Sequence, residues 1–259
     1  MSDRRQRQKE LRAAKREAER KREARSELGR RLLTALGFGA VVVGFFALTT
    51  IFDGDGTLPT GYELFRSQPT ACDADAPAEE EVLEFDAPEV QQDLQDATSA
   101  TATVETSCGT FVIDLALDYP ATVNSFVFLA REDFYDGQVF HRVLEGFDIQ
   151  GGDPAANGTG GPGYRVPDEF PPDDFVYEKG AVFMANQGRG TTGSQFRIAM
   201  DDLTILNPSF NLLGYVVQGM EVLEVIEQVD TAISPGTREN SLPLESIYIE
   251  DVVVEVSGP

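Results

Sequence analysis

The stretch FHRVLEGFDIQGGD, residues 140–153, places a histidine, an arginine and a glutamine within ten residues of one another. His141 is the single histidine of the chain, and a histidine invites an acid–base reading because its charge changes near neutral pH. Nucleophilic hydrolysis needs more than that: a base oriented by a third group, and a nucleophile presented on a sharp turn. The chain has no second histidine and no such elbow motif. Neighbours on a strand alternate sides, so His141 and Arg142 face opposite ways. His141 is accordingly expected to be a structural, hydrogen-bonded residue. Arg142, Phe147 and Gln150 are charged, aromatic and amide side chains of the same stretch. Taken singly, Arg142 also fits an exposed ion pair, Phe147 a core position and Gln150 a turn.

Positioning those groups calls for short strands. TATVET and TFVIDLAL alternate about a turn at SCG and predict a hairpin. PATVNSFVFLAR carries Val123, Phe126, Val127 and Ala130 on one helical face, with Thr122 available as a cap. Short strands are expected around Val139–Val143, Phe147–Gln150, Gly180–Met184, Gln195–Met200 and Leu213–Val217. A second helix is expected over Met220–Gln228, before a closing strand at IYIEDVVVEV. Many short strands, Gly-rich connections and two helices predict a mostly β fold, an antiparallel barrel with helices at its ends.

The net charge of −23 averages two opposite parts. Residues 1–31 hold 13 Lys/Arg against 6 Asp/Glu, whereas the remainder holds 8 against 38. Between them, Leu32–Phe52 runs 21 residues without a charge, enough for a helix to cross roughly 30 Å of hydrocarbon. It is too long for a signal-peptide core and offers no convincing small-residue exit site. The expected organisation is a basic cytoplasmic segment (1–31), a single-pass transmembrane anchor (32–52), a solvated acidic linker (53–100) and a folded domain (101–257). Basic residues favour the inner side, which puts everything after Asp53 outside the cytoplasmic membrane. Lipid headgroups and topology account for the basic segment, and no nucleic-acid partner is expected. In an oxidising compartment, Cys72 and Cys108 are expected to form a disulfide that pins the linker to the domain, with two unrelated thiols as the alternative. One histidine and two distant cysteines do not furnish a zinc site.

FHRVLEGFDIQGGDP, NGTGGPGY, FMANQGRGTTGSQFRI and LLGYVVQGMEVLEVIE follow one another in that order. Together they resemble the cyclophilin family of peptidyl-prolyl cis–trans isomerases over about residues 101–257. The resemblance implies a closed eight-stranded antiparallel barrel capped by two helices, no cofactor, and an outer groove for proline-containing segments. It casts Arg142, Phe147 and Gln150 as catalytic residues: a guanidinium donating to the prolyl nitrogen or carbonyl, an apolar wall, and an amide that steadies the arginine. Met184 and Phe196, or their neighbours, would join the proline pocket, and Ala185, Asn186 and Gln195 would contact substrate backbone. The implied activity is isomerisation of X–Pro bonds in exported proteins.

The pattern departs from the family at the pocket. Arg197 stands where a second aromatic usually follows the SQF phenylalanine, and Asp148 stands where an apolar residue is common. Phe210 replaces a groove histidine or tyrosine, and Ile205, beside Leu206, replaces a tryptophan. Arg197 is expected either to pair with Asp148 or to select acidic residues near proline. A groove kept only for binding or chaperoning, with weakened turnover, is the alternative reading.

Overall fold

The computed structural model describes residues 61–78, 82–235 and 237–258, within one compact unit, Pro59–Pro259. The basic segment 1–31, the apolar span Leu32–Phe52 and the start of the acidic stretch lie outside the described residues. Among the described residues no helix is long and apolar enough to cross a membrane.

The elements in chain order are α1 (Tyr62–Arg66), β1 (Ser99–Thr106), β2 (Gly109–Leu115), α2 (Pro120–Arg131), β3 (Arg142–Leu144), β4 (Asp148–Gly151) and β5 (Ala181–Met184). There follow β6 (Phe196–Ala199), β7 (Leu212–Gln218), α3 (Met220–Glu227), β8 (Thr231–Ile233), β9 (Asn240–Pro243) and β10 (Ile249–Ser257). Eight strands form one antiparallel sheet in the order β10-β1-β2-β7-β5-β6-β4-β3. The sheet curls rather than closing through a continuous ladder. Its edges approach where Phe140 N–H donates to Ile247 O and Ile249 N–H to Gln138 O, at 2.9 and 2.8 Å, beside an isolated Val139–Tyr248 bridge. The expected closed barrel is therefore a half-barrel joined at one seam. The hairpin β8–β9 forms a separate two-stranded sheet, an element the sequence pattern did not announce.

The concave side is filled by apolar side chains at alternate strand positions, among them Ala102, Val104, Phe111, Ile113, Val182, Phe196 and Ile198. Phe196 meets Phe126, Tyr135 and Phe140 edge-on, with ring centroids 5.9–6.1 Å apart. Helix α2 starts on proline, whose fixed φ suits a first turn. Thr122 does not cap it. Glu169 does so from a distant loop, accepting from the N–H groups of Ala121 and Thr122 and from the Thr122 hydroxyl at 2.7–3.0 Å, where an anion also meets the positive end of the helix dipole.

The acidic stretch is not a solvated spacer over its described residues. Phe65 of α1 is buried with Val139, Ala156 and Tyr248. Ser246 ties the segment by its hydroxyl to Phe65 O (2.6 Å) and by backbone bonds to Pro69 and Ala71. Cys72 and Cys108 are joined in a disulfide, linking this segment to the β1–β2 turn. Farther along, Phe85 packs edge-on against Phe128, with centroids 5.0 Å apart, and Gln91 N–H donates to Asn124 at 2.7 Å. Acidic composition hid these anchors because few of them are apolar. Reduction, or Cys108→Ser, is expected to lower stability by about 2–4 kcal/mol. Thermal unfolding with and without reductant checks this, with a fall of roughly 5–15 °C anticipated for a unit of this size.

Candidate active site

Strand register gathers the expected residues into a row. Arg142 on β3 lies opposite Gln150 on β4, Gln150 lies opposite Arg197 on β6, and Arg197 lies opposite Phe183 on β5. Directly opposed residues project from the same face, so this row stands on the outside of the sheet while Phe196 and Ile198 point inward. Gln150 Nε2 donates to Gln195 Oε1, and Gln195 Nε2 to Gly160 O, each at 2.8 Å. Asp153, fully buried, organises the adjoining loop by accepting from the N–H groups of Ala155 (2.8 Å) and Asn157 (3.0 Å). A Cβ on Gly160 would stand 2.1 Å from Asp153 Oδ1. The glycines of NGTGG thus allow the loop to close on this carboxylate.

Two adjoining cavities follow the row. One, about 570 Å³, is lined by Arg142, Gln150, Arg197 and Glu239, with Leu64 and Phe65 of α1 on one side and the β8–β9 hairpin on another. The second, about 230 Å³, shares Gln150, Gly158, Ala185 and Asn186 with the first and adds Gln195. Together they make a groove long enough for several residues of extended chain. A third, largely apolar cavity of about 430 Å³ lies between Val90–Gln95 and the start of α2, and shares Arg165 with the second.

Four charges cluster at the larger cavity: Arg142, Arg197 and Glu239 line it, and Asp148 lies buried behind them. Asp148 is fully buried and forms ion pairs with both Arg142 and Arg197, one through each carboxylate oxygen. The contact to Arg197 lacks hydrogen-bond alignment, leaving Asp148 Oδ2 and Arg197 Nε without hydrogen-bond partners among the described residues. Glu239 accepts from Arg142 Nε and Nη2 at 3.2 and 3.1 Å. Burial pulls the Arg142 pKa below its usual value, and neighbouring Arg197 adds to this against the opposing pull of Glu239. Burial likewise brings Arg197 down to about 10, with Glu239 opposing. Both side chains remain cationic at neutral pH.

Arg197 also fills an aromatic recess. Its guanidinium carbon lies 5.7, 5.6 and 5.8 Å from the ring centroids of Phe147, Phe183 and Phe210, within cation–π range. Leu206 packs into the same cluster, whereas Ile205 is 86 % exposed. At the pocket positions expected of Met184 and Phe196 or their neighbours, it is the neighbours, Phe183 and Arg197, that face the recess. Met184 and Phe196 belong to the inner core, and Phe183 faces the recess in place of Met184. All four residues of β5 are buried, so a strand covered on both sides gave no alternation from which to choose between Phe183 and Met184. Glu239 and the α1 side chains went unanticipated because they come from segments outside the quoted motifs.

His141 is buried, and among the described residues its Nδ1 has no hydrogen-bond partner, where a hydrogen-bonded histidine was expected; it also lines the larger cavity together with Arg142, although strand alternation pointed the two opposite ways. Burial lowers its pKa to about 4, with Asp153 opposing and Arg142 reinforcing. The fold therefore holds it neutral. Between pH 6.5 and 4 the unfolded chain takes up a proton that the folded chain refuses, so stability falls as pH drops through that window, by up to about 3 kcal/mol. Denaturant titrations at pH 7 and 4.5 are expected to show a smaller loss for His141→Gln than for the parent protein.

A curled antiparallel sheet thus carries a polar groove on its outer face. Residues 101–254 match the family model of cyclophilin type peptidyl-prolyl cis-trans isomerase/CLD, and the chain belongs to this family and has its isomerase activity. It is 39% identical over 170 residues to peptidyl-prolyl cis-trans isomerase B of Streptomyces anulatus, covering 60% of this chain and 95% of the relative. It is 38% identical over 172 residues to peptidyl-prolyl cis-trans isomerase A of Mycobacterium tuberculosis, covering 60% and 92%. A crystal structure of a Cryptosporidium parvum cyclophilin type isomerase, obtained in the presence of the dipeptide Ala-Pro, is similar with a TM-score of 0.55 and 30% identity, covering 60% of this chain and 98% of that one.

Proposed function

We propose that Arg142, Phe147 and Gln150 carry the isomerisation, and that the domain works outside the cytoplasmic membrane, tethered by Leu32–Phe52, on X–Pro bonds of exported proteins. The observation that carries the site assignment is the register of Arg142, Gln150 and Arg197 in one row opening on the groove. X–Pro isomerisation is slow because amide resonance must be broken, at a barrier of about 18–20 kcal/mol. In the twisted amide the prolyl nitrogen becomes pyramidal and accepts a hydrogen bond it refuses when planar. A guanidinium already fixed and largely dry favours that state without reorganising. Gln150, itself held by Gln195, steadies the peptide beside Arg142. Ala185 and Asn186 offer backbone groups to the residue before proline. No proton is transferred, so His141 has no part in turnover.

The charge asymmetry supports the location: a basic segment, an uncharged span and a strongly acidic remainder, in that order. A disulfide fits an oxidising compartment. Protease added to intact cells or spheroplasts is expected to digest the isomerase domain while sparing cytoplasmic markers. A domain protected until the membrane is breached would overturn the outside placement.

A further inference from the structure

Taking Arg142 as the donor to the prolyl amide, we infer that the groove selects X–Pro segments bearing a carboxylate side chain next to the proline. Glu239 holds the place of that carboxylate when no such segment is bound. Arg142 and Arg197 both line the larger cavity, with side chains only 12 % and 14 % exposed. Asp148, on β4 and fully buried, cannot leave them. One fixed carboxylate against two guanidiniums leaves a positive charge in a site where water screens poorly.

Glu239 answers that charge from a different footing. It lies on the loop between β8 and β9 with its side chain 42 % exposed, and its bonds to Arg142 are longer than usual for charge-assisted ones. Those bonds occupy two of the five N–H donors of Arg142, and Asp148 takes a third. A bound segment that takes the Nε–Nη2 edge displaces Glu239. A neutral segment leaves the cavity one negative charge short, whereas an acidic one restores it beside Arg197, which lines the same cavity. The domain's overall acidity repels acidic segments at a distance, so any such preference originates in the groove.

The test compares full-chain kcat/KM on matched peptides carrying Glu or Gln immediately before, and in a second pair immediately after, the proline. The parent protein is expected to favour the Glu member of at least one pair by about tenfold, the scale of a charge-assisted hydrogen bond. Raising the salt concentration is expected to shrink this preference only in part. Glu239→Gln, a change on an exposed loop, is expected to raise turnover of the Gln peptides and to widen the preference. Arg197→Leu is expected to bring the ratio towards one. Equal kcat/KM for both members of both pairs, or no change in Glu239→Gln, would overturn the selectivity. Turnover of Gln peptides that is indifferent to Arg142→Lys would instead overturn the site assignment on which it rests.

Discussion

Asp148→Asn is expected to lower the thermal midpoint by about 10 °C, the largest stability effect of any single groove substitution. The carboxylate is fully buried and is the shared partner of two largely buried guanidiniums. Removing one member of a buried ion network strands the others, at a cost of about 3–5 kcal/mol, and a unit of this size loses roughly 2–4 °C per kcal/mol. Glu239 remains for Arg142 but is bound to Arg142 alone. The double variant Asp148→Leu/Arg197→Phe is expected to recover most of the loss, because apolar replacement of a whole buried pair is often neutral or stabilising. It also restores the apolar wall that the family pattern carries. Calorimetry of the parent, single and double variants checks both statements. A single variant as stable as the parent would mean that the two arginines need no common counter-charge.

Arg142→Ala is expected to reduce kcat/KM on a neutral X–Pro peptide by about 10²–10³-fold, the effect of removing one preorganised donor from a transition state. Arg142→Lys is expected to recover only a small part of that. A lysine keeps the charge but not the planar fork, which here spans Asp148 on one side and Glu239 on the other. Asp148 retains Arg197 in both variants, so the fold is expected to survive and a loss of turnover to reflect chemistry. Equal losses of turnover and of peptide affinity would assign Arg142 to ground-state binding instead.

The sheet was largely legible in the sequence. Alternation located β1, β2 and β10, and i, i+3, i+4 spacing gave α2 at Pro120–Arg131. Arg142, Gln150 and Arg197 were recognisable because ordered motifs placed them, and the register brings them together. Long-range choices were not legible. Whether Phe183 or Met184 faces the recess depends on which side of a doubly covered strand meets Tyr177 and Phe210, and local pattern is blind to that. The docking of Tyr62–Ala74 rests on a few buried anchors, Phe65 and Ser246 among them, set in a stretch whose composition reads as solvated. Glu239 reaches Arg142 across 97 positions of sequence, through a short hairpin with no strong strand signal. The pairing of Arg197 with Asp148 was one of two expectations from sequence. The structure adds that the same guanidinium lies among three phenylalanines.

The most direct test of the central claim is NMR exchange spectroscopy on a neutral X–Pro peptide with sub-stoichiometric full chain. The parent protein is predicted to produce cis–trans exchange cross-peaks, and Arg142→Lys to abolish them while peptide shift changes on binding persist. Exchange continuing at the parent rate in Arg142→Lys would contradict isomerisation through this guanidinium.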